Sequence, residues 1–254
     1  DGSWPKGRWT ESVWSLMLLV AWGLPEDHPS ARPPVEALLG RFMPAGEDVD
    51  GAFLLKRLDL CHLGFWLGLG SYFLSGDARL TPLGQAVLEA QLDDGGWNCH
   101  MRNRPSTRHS SFHTTFNVLE GLRIASARGV VPEPVFRDAE ARAREFMLAH
   151  RLYRSDKTGD VISDRFTHLT YPWHWHYTVL RGLDYLRLTP AIADERVEDP
   201  IQLLRDRRKP TGRWPLQKRI PGTLLVEMEK PGGESRWNTL RALRIMRSRA
   251  NAPS

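Results

Sequence analysis

Cysteine is nearly absent. Cys61 and Cys99 are the only two in 254 residues, too few for the disulfide framework that staples small secreted domains, so a reducing, cytoplasmic setting is expected. Long apolar runs are missing too. The longest, Val13 to Leu24, contains Trp14, Ser15 and Trp22 and falls short of the roughly 20 residues a membrane-crossing helix needs, so no transmembrane segment is expected. No secretory leader is visible, and the chain opens at Asp1 rather than Met, which leaves room for a missing N-terminus. Charge of one sign is nowhere concentrated. The 35 basic and 30 acidic residues leave a formal charge of +5, without the dense basic run, interleaved with aromatics, that marks a nucleic-acid partner. A mildly basic surface suits solubility, or the attraction of an anionic substrate such as a diphosphate. Period-2 alternation is missing almost everywhere, so no β-strand is predicted.

Tryptophan, by contrast, is abundant. Ten of them need a core or pocket that uses their apolar area and acceptors for their indole N–H groups, which predicts an aromatic-lined interior. The chain also repeats itself loosely. Turns rich in Gly and Trp (Asp1-Gly2-Ser3-Trp4, Asp50-Gly51-Ala52-Phe53, Asp94-Gly95-Gly96-Trp97, Gly212-Arg213-Trp214) precede apolar helices ending in Gly-Leu or Ala-Leu, such as Gly121-Leu122, Gly182-Leu183 and Ala242-Leu243. A period of about 50 to 60 residues points to stacked helical hairpins, about five of them. Alignment on the terminal pairs matches Thr115 with His176 and Arg236.

Helices of another character lie between. Pro33-Pro34 precedes Val35 to Phe42, and Thr81-Pro82 opens Leu83 to Leu92. Glu133 to His150 is amphipathic through Val135, Ala139, Phe146 and Met147, and Ile192 to Arg207 reads similarly. Apolar helices alternating with amphipathic ones predict an inner ring covered by an outer ring: an all-α, single-domain α/α toroid over residues 1–254. Two long non-helical stretches, Asn98 to Ser110 and Lys209 to Ser235, are the length of functional loops.

Chemistry-bearing residues gather at helix starts. Asp59 and Cys61 stand just ahead of the apolar run Phe65-Trp66-Leu67, Cys99 follows the Gly-Gly-Trp turn, and His113 heads another apolar helix. Zinc takes Cys sulfur, His nitrogen and carboxylate oxygen, and a catalytic site leaves one position open. Cys61, Cys99 and His113 would form one such set; Asp59, Cys61 and His113 another. The alternative is that both cysteines are small buried hydrophobes and His113 caps its helix. In Tyr171-Pro172-Trp173-His174-Trp175-His176-Tyr177, His174 or His176 would be a catalytic base or additional ligand, His176 being the catalytic candidate, and Trp175 and Tyr177 are candidate cavity wall; an equally good account makes the Trp side chains core and the His side chains hydrogen-bonded structure. Glu227 is a second catalytic candidate. Trp66, Trp97 and Arg236 complete the expected substrate-binding set.

The Gly-Gly-Trp turns and the Gly-Leu helices resemble the repeats of the terpenoid cyclase and protein prenyltransferase superfamily, whose fold is the α/α toroid. Asp59-Leu60-Cys61 and Phe112-His113-Thr114 resemble the two pieces of the prenyltransferase β-subunit zinc site. Lys56, three positions before the aspartate, matches a residue that contacts prenyl diphosphate there, and Cys99 falls where that family places a carboxylate. The chain is shorter than those subunits and contains nothing like their α subunit, which leaves a partner chain open without indicating one. The proton-donating Asp-x-Asp-Asp of squalene–hopene cyclases is missing; Asp48-Val49-Asp50-Gly51 is the nearest approach. The resemblance implies a zinc-dependent transferase acting on an apolar or prenyl-diphosphate-like substrate, with Zn2+ activating a thiol or water. A metal-free cyclase that stabilises carbocations on aromatic faces and a non-catalytic scaffold are the other readings.

Overall fold

In the computed structural model, residues 10–44, 46, 49–220 and 227–252 are described. The Trp4 turn and Asp48 therefore lie outside the described residues. Apart from one two-stranded ladder, the named elements are helical, in two compact units, Asp1–Ala143 and Arg144–Ser254.

The first unit carries α1 (Thr10–Ala21), α2 (Arg32–Gly40), α3 (Gly51–Arg57), α4 (Leu60–Phe73), α5 (Leu80–Glu89), α6 (Phe112–Ala127) and the start of α7 (Glu133–Ala149). Local signals account for the ends. Pro33 and Pro34 sit in the first turn of α2, where their missing N–H groups cost nothing. The Asp50 carboxylate caps α3 by accepting the Phe53 N–H at 2.6 Å. α4 is apolar almost all round, and eleven of its residues from Leu60 to Phe73 are buried; α6 is buried over most of its length. α5 instead buries one face, through Leu80, Leu83, Ala86 and Val87. α7 buries Phe136, Ala139, Ala143, Phe146 and Met147, whereas Val135 is 45% exposed. The stripe thus runs through Phe136, not Val135 as the sequence pattern suggests.

The packing of α4 on α6 depends on glycine. A Cβ placed on Gly64 would stand 2.7 Å from the Asn117 carbonyl oxygen, and one on Gly121 would stand 2.0 Å from the Gly64 oxygen. Backbone therefore lies against backbone at this crossing, and no side chain fits between.

The second unit contains α8 (Val179–Leu186), α9 (Glu198–Asp206) and α10 (Arg236–Ala250), with strands β1 (Trp214–Pro215) and β2 (Glu234–Ser235) paired antiparallel. This ladder is the strand pairing that the sequence pattern does not show, because two residues are too few to display alternation. The helix expected over Ile192 to Arg207 is broken. Two 3-10 turns, Pro190–Ala193 and Glu195–Val197, precede α9, with Asp194 extended between them and its carboxylate accepting the Arg196 N–H at 2.8 Å.

The repeat is visible in hydrogen bonds. Trp97 donates its indole N–H to the Val87 carbonyl and its backbone N–H to Thr115 Oγ1. Trp214 does the same with the Leu204 carbonyl and Thr239 Oγ1. Ser111 and Ser235 are the N-cap residues of the following helices, α6 and α10. Thr115 therefore corresponds to Thr239, and the pairing with Arg236 inferred from the terminal Gly-Leu and Ala-Leu is three residues out of register. The helix starts, which carry the bonds, define the repeat better than the helix ends.

Candidate functional site: a buried pair of thiols

Asn98 to Ser110 is tied back onto the start of α6. Asn98 Nδ2 donates to the His109 carbonyl at 2.7 Å, and its Oδ1 accepts the His100 N–H at 2.9 Å, opening the 3-10 turn Cys99–Arg102. The Asp94 carboxylate accepts the Ser110 N–H at 2.7 Å. Gly95 makes the preceding turn possible: its φ is +95°, and a Cβ there would stand 2.3 Å from the Arg142 carbonyl oxygen.

These ties deliver Cys99 to the start of α4. Its sulfur lies 2.9 Å from that of Cys61, 38 residues away in the chain. Cys99 Sγ also accepts the Cys61 backbone N–H and the Thr114 hydroxyl, each at 3.3 Å. Thr114 Oγ1 in turn accepts the Cys99 N–H at 3.2 Å. The hydrogen bond from Cys61 holds the Cys99 thiol below its usual value, against burial, with Thr114 and the α4 amide helping. Cys61 is pushed far up by giving that bond, by burial, and by the negative charges of Cys99 and Asp59. Of the two, Cys99 gives up its proton more readily, and the Cys61 N–H at the start of α4 faces its sulfur.

Asp59 is the N-cap residue of α4, and its carboxylate lies 3.4 Å from Arg102 Nε, both side chains about one third exposed. That exposure makes the ion pair weak. His62, adjacent to Cys61, is lowered to about 4 by burial, with Arg102 adding to the effect and Asp59 opposing it. It is a neutral imidazole near neutral pH. His62 and Thr114 are the neighbours that sequence reasoning missed, although each sits beside a residue that it singled out.

The other expected site residues are distributed as follows. His113 is the second residue of α6 and half-buried. Among the described residues no group of three or more His, Cys, Asp or Glu side chains that could hold a metal ion is found; the sulfurs of Cys61 and Cys99 are in contact. Lys56 is exposed in the last turn of α3. Trp66 is buried and stacks on Phe42 with centroids 5.0 Å apart, while its indole N–H has no hydrogen-bond partner among the described residues. Trp97 is fully buried in the repeat contact described above.

In the second unit Tyr177 is buried and its hydroxyl donates to the Leu152 carbonyl at 2.6 Å. Trp175 is 37% exposed and stacks on His176, with centroids 3.8 Å apart. The His176 carbonyl accepts from Arg181 Nη1 at 3.1 Å. Glu227 is half-exposed, 3.5 Å from Arg219. Arg236 is largely exposed, and its backbone N–H donates to Glu229 at 2.7 Å.

His174 yields a pH prediction. Burial lowers it from 6.5 to about 4. The unfolded chain binds this proton more readily than the native state, so the stabilising contribution is complete above about pH 6.5 and is lost as pH falls toward 4. The loss reaches at most about 3 kcal/mol. His174→Asn should flatten the acid limb of a stability–pH curve measured by urea titration; an unchanged limb would exclude His174 as its source. Asn also tolerates the left-handed backbone here, where φ is +46°.

The class of site is therefore a half-buried dithiol between two helix starts, with a carboxylate and a neutral imidazole close by. Comparison with family models, with curated proteins and with solved structures finds no match to this chain.

Proposed function

We propose that the chain is a zinc-containing enzyme of the terpenoid cyclase and prenyltransferase type, folded as an α/α toroid and acting on an apolar or isoprenoid-like substrate. The observation that carries this reading is the approach of the two sulfurs to 2.9 Å from positions 38 residues apart. The donor chemistry fits zinc. Two thiolates are soft ligands, and Zn–S bonds of about 2.3 Å at tetrahedral angles place two sulfurs about 3.8 Å apart, so opening the pair by under about 1 Å accommodates the ion. Asp59 adds a negative field that opposes a second thiolate in the metal-free site, and a divalent cation reverses that penalty.

Cys61 and Cys99 would hold the ion, with His113 and Asp59 as the nitrogen and carboxylate candidates. Bound there, zinc supplies a lowered pKa for an incoming thiol or water, which makes it a nucleophile at neutral pH. The chain's own part is to orient and shield. Thr114 fixes the Cys99 sulfur through its hydroxyl, and Trp66 offers, within an apolar helix, an indole N–H without a partner among the described residues. The stack of Trp66 on Phe42 favours, as a second reading, a metal-free cyclase relying on aromatic faces.

Metal analysis of protein purified without chelator tests the proposal. About one zinc per chain is expected, with most of it lost in Cys61→Ala and less retained in His113→Ala. Turnover of a prenyl diphosphate should vanish with the metal. Fresh wild-type protein that binds no zinc would remove this reading.

A further inference from the structure

The sulfur separation has two neighbours in bonded chemistry. At 2.9 Å it lies between the roughly 2.05 Å of a disulfide and the roughly 3.8 Å of two sulfurs sharing a tetrahedral zinc. Under about 1 Å of movement reaches either, and the two exclude each other, since a disulfide sulfur has no thiolate to offer. Both cysteines are free and half-buried, and no other cysteine competes for either. Cys61 is set in α4, which the glycine crossing holds against α6. Cys99 opens a short 3-10 turn, so the closing movement falls to Cys99.

We infer that Cys61 and Cys99 form a reversible disulfide site, closed by a low-molecular-weight disulfide of the glutathione type and opened by the corresponding thiol. Its closure withdraws both sulfur ligands, a regulatory consequence that rests on the zinc reading above. The chemistry balances as ordinary exchange. The Cys99 sulfur, as thiolate, attacks one sulfur of the oxidant, and the oxidant's S–S bond breaks to release one thiolate, which takes up a proton. Cys61 then gives its proton to solvent and attacks Cys99 Sγ, expelling the second thiol. Two protein thiols and one small disulfide become one protein disulfide and two small thiols, with two electrons passing to the oxidant. The donors around Cys99, the Cys61 N–H and the Thr114 hydroxyl, place it as the attacking sulfur and Cys61 as the resolving one.

The experiment uses the full chain, freed of metal with chelator, incubated with oxidised glutathione and then labelled with a maleimide. Both reactive thiols should be lost together without a retained adduct, and digestion under non-reducing conditions should yield one peptide pair joined through Cys61 and Cys99. Reduction should restore both thiols. Cys61→Ser, which keeps size and polarity, should stop at a stable glutathione adduct on Cys99. Retention of both thiols in wild type, or an adduct on each cysteine with no joined peptide, overturns the inference. The zinc reading is judged separately by metal content of the reduced protein: disulfide closure in a chain that never binds zinc leaves this site standing and removes only its regulatory consequence. If zinc binds but the metal-free chain fails to close, the disulfide site is wrong and the metal reading stands.

Discussion

Gly121→Ala should destabilise the protein by about 3 kcal/mol or more, the largest effect expected of so small a change. The added methyl group meets the Gly64 oxygen at 2.0 Å and the Gly64 carbonyl carbon at 2.8 Å. Those atoms are backbone in the interior of α4, so no rotamer change relieves the clash. Either the two helices separate and forfeit contacts along a buried interface, or one bends. Gly64→Ala should behave similarly, because its Cβ would face the Asn117 oxygen at 2.7 Å and Val118 Cα at 2.8 Å. Gly40→Ala is the control. It ends α2, with the nearest atom at 3.9 Å from the new Cβ, and should be neutral or gain up to about 1 kcal/mol through helix propensity. Urea titration of the three variants decides the point. A Gly121→Ala loss below about 1 kcal/mol would mean that the α4–α6 crossing is looser than described.

Asp184→Asn is expected to cost about 3 kcal/mol in the second unit. The carboxylate accepts from Arg241 Nε at 2.8 Å and from Arg187 Nε, so two guanidinium groups share one acid. Burial pushes the acid up, yet Arg241 and Arg187 together outweigh burial and leave it below the usual carboxylate range. Arg241 is only 8% exposed as a side chain, lies over the Trp173 ring at 4.3 Å, and has Nη1 buried without a hydrogen-bond partner among the described residues. Neutralising Asp184 leaves that buried cation without its counter-charge. The carboxylate is itself 19% exposed, which places the cost at the lower end of the range for broken buried pairs. Asp184→Asn combined with Arg241→Met should recover part of the loss, and the double-mutant coupling in urea measures the pair. Its pH signature follows from the lowered acid: the contribution is complete above about pH 4 and is lost as pH falls through the folded-state value.

Much of the fold was legible because helix signals are short-ranged. Pro33-Pro34 at the start of α2, Asp50 before α3 and the one-sided apolar pattern of α5 each act within a turn or two of chain. What escaped was set by contacts beyond that range. Val135 and Phe136 are equally apolar neighbours, and only the packing of α7 puts Phe136 inside. The break at Asp194 depends on a capping carboxylate that competes with the helix. The repeat register rests on bonds from Trp97 to Thr115 and from Trp214 to Thr239, spanning 18 and 25 residues.

The site divides the same way. The inventory of two cysteines, the helix starts that carry Asp59, Cys61 and His113, and the Gly-Gly-Trp turn before Cys99 were determined by the order of residues alone, because they are matters of composition and local propensity. That Cys99 reaches Cys61 and that Thr114 holds its sulfur were decided only by tertiary structure. Bringing residues 38 positions apart to 2.9 Å takes a loop tied by Asn98 and Asp94 and two helices held together by glycine. Those long-range constraints compete with chain entropy, and no local pattern in the sequence reports which of them wins.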